Sequence, residues 1–535
     1  MDDDDTGTPR AWSGRGWLTR NADLILLTCV AAALRFFTLG RESLWYDELY
    51  VVWARKFPLG ELLPEIFASE HPPAFNVIGY FWDYIGHGEF QVRALSALVG
   101  TATVLLAYQA AKELFARRAG MWAAAFTAVS PLLVWYSRDA TSYSWVIVVS
   151  LASLWLLARA SLRGGWGNWG AYTAVTAIAV FSHLTSGVLL VAEAVFFLLI
   201  RGKRGSGLKP WLACQALLLP ALVLMLSTGK SLGRPLDTAD PFSLQTAGKF
   251  LRGTGNAVYI LLIGYTDQPL DSPAAVPFLS TNKLTLLVFT FILLAIPFAS
   301  SRVRQAILTR RITALALFTT VLLTGPIAFL LLRDAAATGR YYAWAAPPLL
   351  ILLAAVVAAA PRKVGAAAGS VAVAGLLFAT IYDLSISHNE DWRSLMHTLE
   401  AESQPGDMVL CFPEHNCVVA ADFYLDSDRY IYGGFINLVT PEIVYFGPPG
   451  VTWHGYRASY LFNGELYGLE GDEIRQRLDE ELEGRDRFWY ISGTGAVNHY
   501  PEVPLVEQAL MEAGWRPVEV FADPLLVMKR YQRDA

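Results

Sequence analysis

Charge is scarce in this chain. Asp, Glu, Lys and Arg together make up 17% of its 535 residues, where a soluble protein carries about a quarter. Basic residues never cluster beyond the short stretch Arg201, Lys203 and Arg204, which argues against a nucleic-acid partner. Cysteine is rarer still, with four in all. Cys29 and Cys214 sit in apolar runs, while Cys411 and Cys417 lie in a polar region and can pair if that region faces an oxidising compartment. His415 lies near that pair, but no second His and no third Cys stands at ligand spacing, so a zinc site is not expected. No Gly-rich phosphate loop follows a strand-like run, and no internal repeat is evident. The first residues, Met1 to Asp5, are acidic and lack the basic start of a cleaved signal peptide, so residues 1–20 read as a disordered tail.

What replaces charge is apolar length. Runs fall at about 22–40, 90–111, 119–136, 143–160, 168–184, 186–200, 209–228, 283–300, 311–333, 341–360 and 364–383. They predict a polytopic α-helical membrane protein of about 11 spans. Basic residues mark every second connection: Arg10, Arg15 and Arg20; Lys112, Arg117 and Arg118; Arg159 and Arg163; Arg201, Lys203, Arg204 and Lys209; Arg302, Arg304, Arg310 and Arg311; Arg362 and Lys363. By the positive-inside rule those connections and the N-terminus face the cytoplasm of a cell membrane. The long loops 41–89 and 229–282 then lie outside, with apolar pieces suited to the interface at Leu59–Ala68, Phe75–Ile85 and Ala257–Tyr265. A membrane domain therefore spans residues 21–387. Residues 388–535 are charged and turn-rich, with β-like runs at 407–412, 429–432, 487–492 and 525–531 between helical patterns, and predict an extracytoplasmic soluble α/β domain.

The residues with chemical potential gather in the outward loops. Asp47 and Glu48 stand side by side in Leu44-Trp45-Tyr46-Asp47-Glu48, where the first span ends. Carboxylates there lose hydration and suit a general base, and they equally suit capping of a helix end. His71, before Pro72 and Pro73, is placed to meet a phosphate or polarise an acceptor, or simply to be solvated. Arg138 and Asp139 follow Tyr136 and Ser137 and precede Tyr143; their plain reading is a local ion pair. Arg340, ahead of Tyr341, opens a span from outside. Its guanidinium can snorkel to headgroups or grip a phosphate with two parallel hydrogen bonds.

Taken in order, Leu44-Trp45-Tyr46-Asp47-Glu48, His71-Pro72-Pro73, Tyr136-Ser137-Arg138-Asp139-Ala140 through Tyr143, Gly339-Arg340-Tyr341 before Pro347-Pro348, and Asp391-Trp392-Arg393 ahead of Pro405-Gly406-Asp407 resemble the bacterial GT-C glycosyltransferases. The resemblance is to the branch of protein O-mannosyltransferases and of lipid A aminoarabinose and galacturonosyl transferases, and it covers about residues 20 to 410. It implies a polyprenyl-phosphate sugar donor reached from the membrane lipids and transfer on the extracytoplasmic side. The acceptor is then a cell-envelope lipid, a glycan or a protein. Asp47 takes the role of catalytic carboxylate, with Glu48 beside it, and His71, Arg138, Asp139, Tyr143, Arg340 and Tyr341 bind donor or acceptor. No nucleotide-sugar site is needed; a divalent metal stays open.

Two other readings use the same residues: transfer of another group linked to a lipid phosphate, and transport or flipping of a lipid or glycolipid. A transporter places charges at mid-span, and here Glu193 is the clear exception in otherwise apolar runs. The alternating basic loops generate a direct prediction. A reporter active only outside the cytoplasm is active when fused after Ala535 and silent when fused near Arg204; the reverse pattern overturns the topology.

Overall fold

The computed structural model describes residues 14–56, 59–60, 73–183, 186–201, 207–228, 244–263, 300–331, 339–403, 408–412, 414–425, 430–431, 437–438, 442–444, 475–476, 478–479, 482–493 and 502–533. The chain folds as two compact units: residues 1–37, 69–72 and 96–385 form one, and residues 38–68, 73–95 and 386–535 form the other. Most of the loop 41–89 thus groups with the C-terminal residues.

The first unit is helical. Its helices include Gly14–Phe36, the greater part of Glu89–Leu114, Arg117–Ala128, Tyr143–Arg163, Trp166–Val180, Ser186–Ile200, Leu208–Thr228, Arg310–Leu331, Ala346–Ala359 and Arg362–Asp383. Among the described residues, five helices are long and apolar enough to cross a membrane, and Gly187–Ile200 and Ala343–Ala359 are shorter apolar segments. The expected count of about eleven is not confirmed among the described residues. The run 283–300 lies outside the described residues, and the run 119–136 is broken. Pro131 cannot donate to Thr127, so the helix Arg117–Ala128 ends and a new one, Pro131–Tyr136, begins. The piece expected at 257–265 is instead the end of a longer helix, Leu244–Ile263.

Several polar groups inside this unit pair with one another or with freed backbone carbonyls, as a low-dielectric interior favours. The break at Ser130 frees carbonyls, and Arg35 takes them. Its buried guanidinium donates to Thr127 O (3.2 Å), Ala128 O (3.1 Å) and Ser137 Oγ (3.1 Å). A Cβ on Gly100 would lie 1.9 Å from Ser137 Oγ, so only glycine lets that hydroxyl approach. Glu193 receives hydrogen bonds from Ser153 and from Tyr172 (2.8 Å), and Gln215 donates to the Tyr172 hydroxyl (3.2 Å). Four successive helices are thereby tied at a buried carboxyl.

The second unit carries a seven-stranded sheet of order β2-β3-β4-β1-β5-β7-β6. Its strands are β1 (Met408–Phe412), β2 (Tyr430–Ile431), β3 (Asn437–Leu438), β4 (Glu442–Val444), β5 (Arg487–Gly493), β6 (Trp515–Ala522) and β7 (Leu526–Arg533). β1 lies parallel between β4 and β5, and β7 pairs antiparallel with both β5 and β6. β5 is buried from Phe488 to Ser492, as a strand covered on both faces must be. The Phe488 ring stacks on Tyr531 at 5.2 Å. Cys417, on the helix Glu414–Tyr424, is disulfide-bonded, and Cys29 and Cys214 are free. The expected partner, Cys411, lies on β1 with its side chain outside the described set.

The stretch His388–Asp391 leads into the helix Trp392–Glu402, where Asp391 accepts from Ser394 N (3.1 Å) as N-cap. Glu390 beside it is half-buried and accepts from Trp392 Nε1 at 2.5 Å. Burial pushes its carboxyl up to about 7 against the Trp392 hydrogen bond, and the nearby charges of Asp523 and Asp47 add to the rise. A folded-state proton affinity raised above the unfolded 4.5 contributes stability that is complete below pH 4.5 and lost as pH rises through about 7. Glu390→Gln mimics the protonated form. Thermal unfolding of the purified protein should therefore show the variant more stable than the parent at pH 8, by up to about 3 kcal/mol, and matched to it near pH 4.5. Equal stability at pH 8 rules this out.

Candidate active site

The loop 38–48 is built around one cation. Arg93, in the second turn of the helix Glu89–Leu114, is 3% exposed and Glu48 is 1% exposed. Arg93 Nε donates to Glu48 Oε1 (2.8 Å) and Nη2 to Glu48 Oε2 (2.5 Å), a two-pronged pair. Its remaining donors reach Leu39 O (3.2 Å), Glu42 O (2.7 Å) and Ser43 O (2.9 Å). Glu48 also accepts from Trp45 N (3.3 Å), closing the first turn of the helix Tyr46–Ala54. The turn that carries the acidic pair is therefore held at both its backbone and its carboxylate.

The two carboxylates have unlike surroundings. Glu48 is sealed against Arg93. Asp47, one residue earlier in the same first turn, is partly exposed and stands where the positive end of a helix favours an anion. Its carboxylate is near enough to Glu390 for the two charges to interact.

A second group holds the same loop. Asn389 Nδ2 donates to Ser43 O (2.8 Å), Arg393 N to Ser43 Oγ (3.2 Å), and Leu44 N to the Tyr424 hydroxyl (2.7 Å). Arg393 Nε and the Tyr424 hydroxyl both meet Glu89 Oε1, at 2.8 and 3.0 Å. Farther along, Arg55 and Asp83 approach to 3.7 Å in a buried pair. Burial lowers the affinity of Arg55 for its proton and raises that of Asp83, each partly offset by the other's charge.

In the membrane unit, Arg138 and Asp139 do local work. Arg138 Nη1 donates to Arg35 O (3.1 Å) and Phe37 O (2.6 Å), at the C-terminus of the first helix. Asp139 is buried and accepts from Thr141 N (2.9 Å). Tyr143 sets its ring edge-on to Tyr136, with centroids 5.1 Å apart. Arg340 is partly exposed, 5.6 Å from the ring of Tyr341, which itself meets His183 at 6.3 Å. His183 also lies 6.1 Å from Trp344, whose indole donates to Leu322 O (3.2 Å). His71 lies outside the described residues. Among the described residues, no group of three His, Cys, Asp or Glu side chains is arranged to hold a metal.

Arg93, Glu390, Arg393 and Tyr424 were not singled out by chemistry in the sequence. Arg93 left a signal, as a guanidinium in the second turn of an apolar run, where a cation needs a partner. Arg393 lies inside the motif Asp391-Trp392-Arg393. Tyr424 left none.

Comparison with known proteins bears on this arrangement. The family described as dolichyl-phosphate-mannose-protein mannosyltransferase matches residues 70–227. No curated protein matches the chain by sequence. Among solved structures, ArnT from Cupriavidus metallidurans in the apo state aligns with a TM-score of 0.52 at 14% identity, over 96% of this chain and 98% of that one. The same protein bound to undecaprenyl phosphate aligns with a TM-score of 0.51 at 13% identity, over 97% and 98%. The archaeal oligosaccharyltransferase AglB from Archaeoglobus fulgidus, solved with an inhibitory peptide and a dolichol-phosphate, gives 0.53 at 12% identity, over 95% of this chain and 73% of that one. Identities this low speak to fold, and they do so along almost the whole chain: it has the GT-C fold of these membrane enzymes.

Proposed function

We propose that this protein is an integral-membrane glycosyltransferase that moves a sugar from a polyprenyl-phosphate donor to an acceptor hydroxyl outside the cytoplasm, with Asp47 as general base. The observation that carries the reading is the unlike setting of two neighbouring carboxylates. Glu48 is committed to Arg93, while Asp47 remains partly exposed in a turn whose position is fixed. Fold similarity to an enzyme bound to undecaprenyl phosphate supports the class of donor.

In the proposed step Asp47 accepts the proton of the acceptor hydroxyl as its oxygen attacks the anomeric carbon. The bond from that carbon to the phosphate oxygen breaks, and the polyprenyl phosphate leaves with the electron pair. One base and one displacement invert the anomeric centre. The leaving phosphate needs cationic stabilisation rather than protonation, and Arg340 has the planar, two-pronged shape for it. Tyr341, Arg138, Asp139, Tyr143 and His71 are proposed as donor- or acceptor-binding residues on the strength of the motifs that contain them.

A membrane assay with a panel of radiolabelled undecaprenyl-phosphate sugars, followed by mass spectrometry of the product, tests the reading; no transfer from any of them counts against it. Asp47→Asn should express and insert normally and lose about 10²–10⁴-fold in turnover, a loss that excess donor does not restore. Near-parent turnover in this variant removes Asp47 as the base. Glu48→Gln should fail differently, because it leaves Arg93 buried against a neutral partner. Its thermal stability falls, toward the roughly 3–5 kcal/mol typical of a broken buried pair, and the folded fraction keeps more activity than Asp47→Asn.

Arg340 has its own test. Arg340→Lys keeps the charge and loses the fork, so the KM for donor should rise while the protein stays folded. An Arg340→Ala variant with the parent's KM for donor would place the phosphate elsewhere.

A further inference from the structure

The second unit contributes more than a sheet beside the acidic loop. The helix Glu414–Tyr424 packs on the helix Tyr46–Ala54. Lys56 Nζ, just past the latter, pairs with Asp422 Oδ2 at 2.7 Å. Tyr424 then ends its helix with the ring half-buried and the hydroxyl at the centre of three hydrogen bonds. It accepts from Leu44 N (2.7 Å), lies 2.9 Å from Ser43 Oγ, and donates to Glu89 Oε1 (3.0 Å). Burial, and next the charge of Glu89, push the phenol above its ordinary value while its hydrogen bonds from Ser43 and Leu44 pull the other way. The hydroxyl therefore stays neutral and can accept and donate at once. The only other hold on Leu44 and Ser43 from this side comes from Asn389 and Arg393 among the described residues.

We propose that Tyr424 is a positioning residue for transfer, whose hydroxyl fixes the Ser43–Leu44 backbone three residues ahead of Asp47 and so sets where that carboxylate stands. This rests on the reading of Asp47 as the base, and it gives the C-terminal α/β unit a part in catalysis without contact with the sugar. Arg93 holds the carbonyls of residues 39, 42 and 43, yet a guanidinium has no acceptor to offer the amide of Leu44. Without the phenol that amide lacks its acceptor, and the turn into the Tyr46 helix is fixed on one side only. A displacement of about 1 Å at a reacting group costs up to about 100-fold in rate.

The test is Tyr424→Phe in the full-length protein, which keeps the ring and its packing and removes the oxygen. Hydrogen exchange of the peptide containing Leu44 should be faster than in the parent. Turnover per folded molecule, measured with the undecaprenyl-phosphate sugar the parent uses best, should fall about 10- to 100-fold with little change in the KM for donor. Ser43→Ala should show the same kcat defect in milder form, and the double variant should be no worse than Tyr424→Phe alone, as for groups that act as one unit. A purely structural tyrosine would lower yield and melting temperature and leave turnover per folded molecule unchanged; that result overturns the proposal, as does parent-like exchange at Leu44. Asp47→Asn, run alongside, separates the two ideas. If it is inactive while Tyr424→Phe is normal, the positioning role fails and the base stands. If it is fully active, the base fails, and Leu44 exchange alone then decides whether the phenol holds the loop.

Discussion

A cation sealed from water and a carboxylate sealed beside it govern the loop at the start of this chain. Taking Arg93 and Glu48 out of water costs several kcal/mol for each ion. The cost is offset because no donor of the guanidinium is wasted: two meet the carboxylate, and the others reach the carbonyls of Leu39, Glu42 and Ser43. A pair of this kind contributes little net stability. What it contributes is uniqueness, since any other path of residues 39–48 would leave a charge buried without a partner. Asp47, next in the chain to that pair, inherits a defined position from it.

The membrane unit uses the same logic with weaker groups. The helix break at Ser130 would leave carbonyls bare, and Arg35 and Thr380 supply the donors, the latter at 2.8 Å from Val129 O. The buried carboxyl of Glu193 is met by two hydroxyls. These polar residues are thus tied to places where the helical ladder stops or where neighbouring helices are held in register.

Much of the helical framework was legible because span length and apolar composition are local properties. Each described apolar run became helix, and the strands expected near 408, 430, 487 and 526 are present within a residue or two. Strand β6 escaped because Pro517 and the alternation of Arg516, Val518 and Glu519 blur its pattern. The short β3 and β4 have too few residues to show any period. The acidic pair was legible as a pair, but the unequal division of burial between its two members was not. That division depends on Arg93, 45 residues away, and a contact at such range leaves no trace in spacing. Arg138 likewise has a long-range contact that spacing could not show: its Nη1 meets the carbonyls of Arg35 and Phe37.

The bond between Leu44 N and the Tyr424 hydroxyl joins residues 380 positions apart. Synthesis at about 5–20 residues per second separates their emergence from the ribosome by roughly 20 to 80 seconds. Through that interval the nascent chain inserts one helix after another while the loop that follows the first of them still lacks an acceptor for Leu44. The finished geometry around Asp47 is thus among the last events of biogenesis, although its residues are among the first made. A half-translated molecule lacks that hold on the loop, and a chain truncated before residue 424 never gains it.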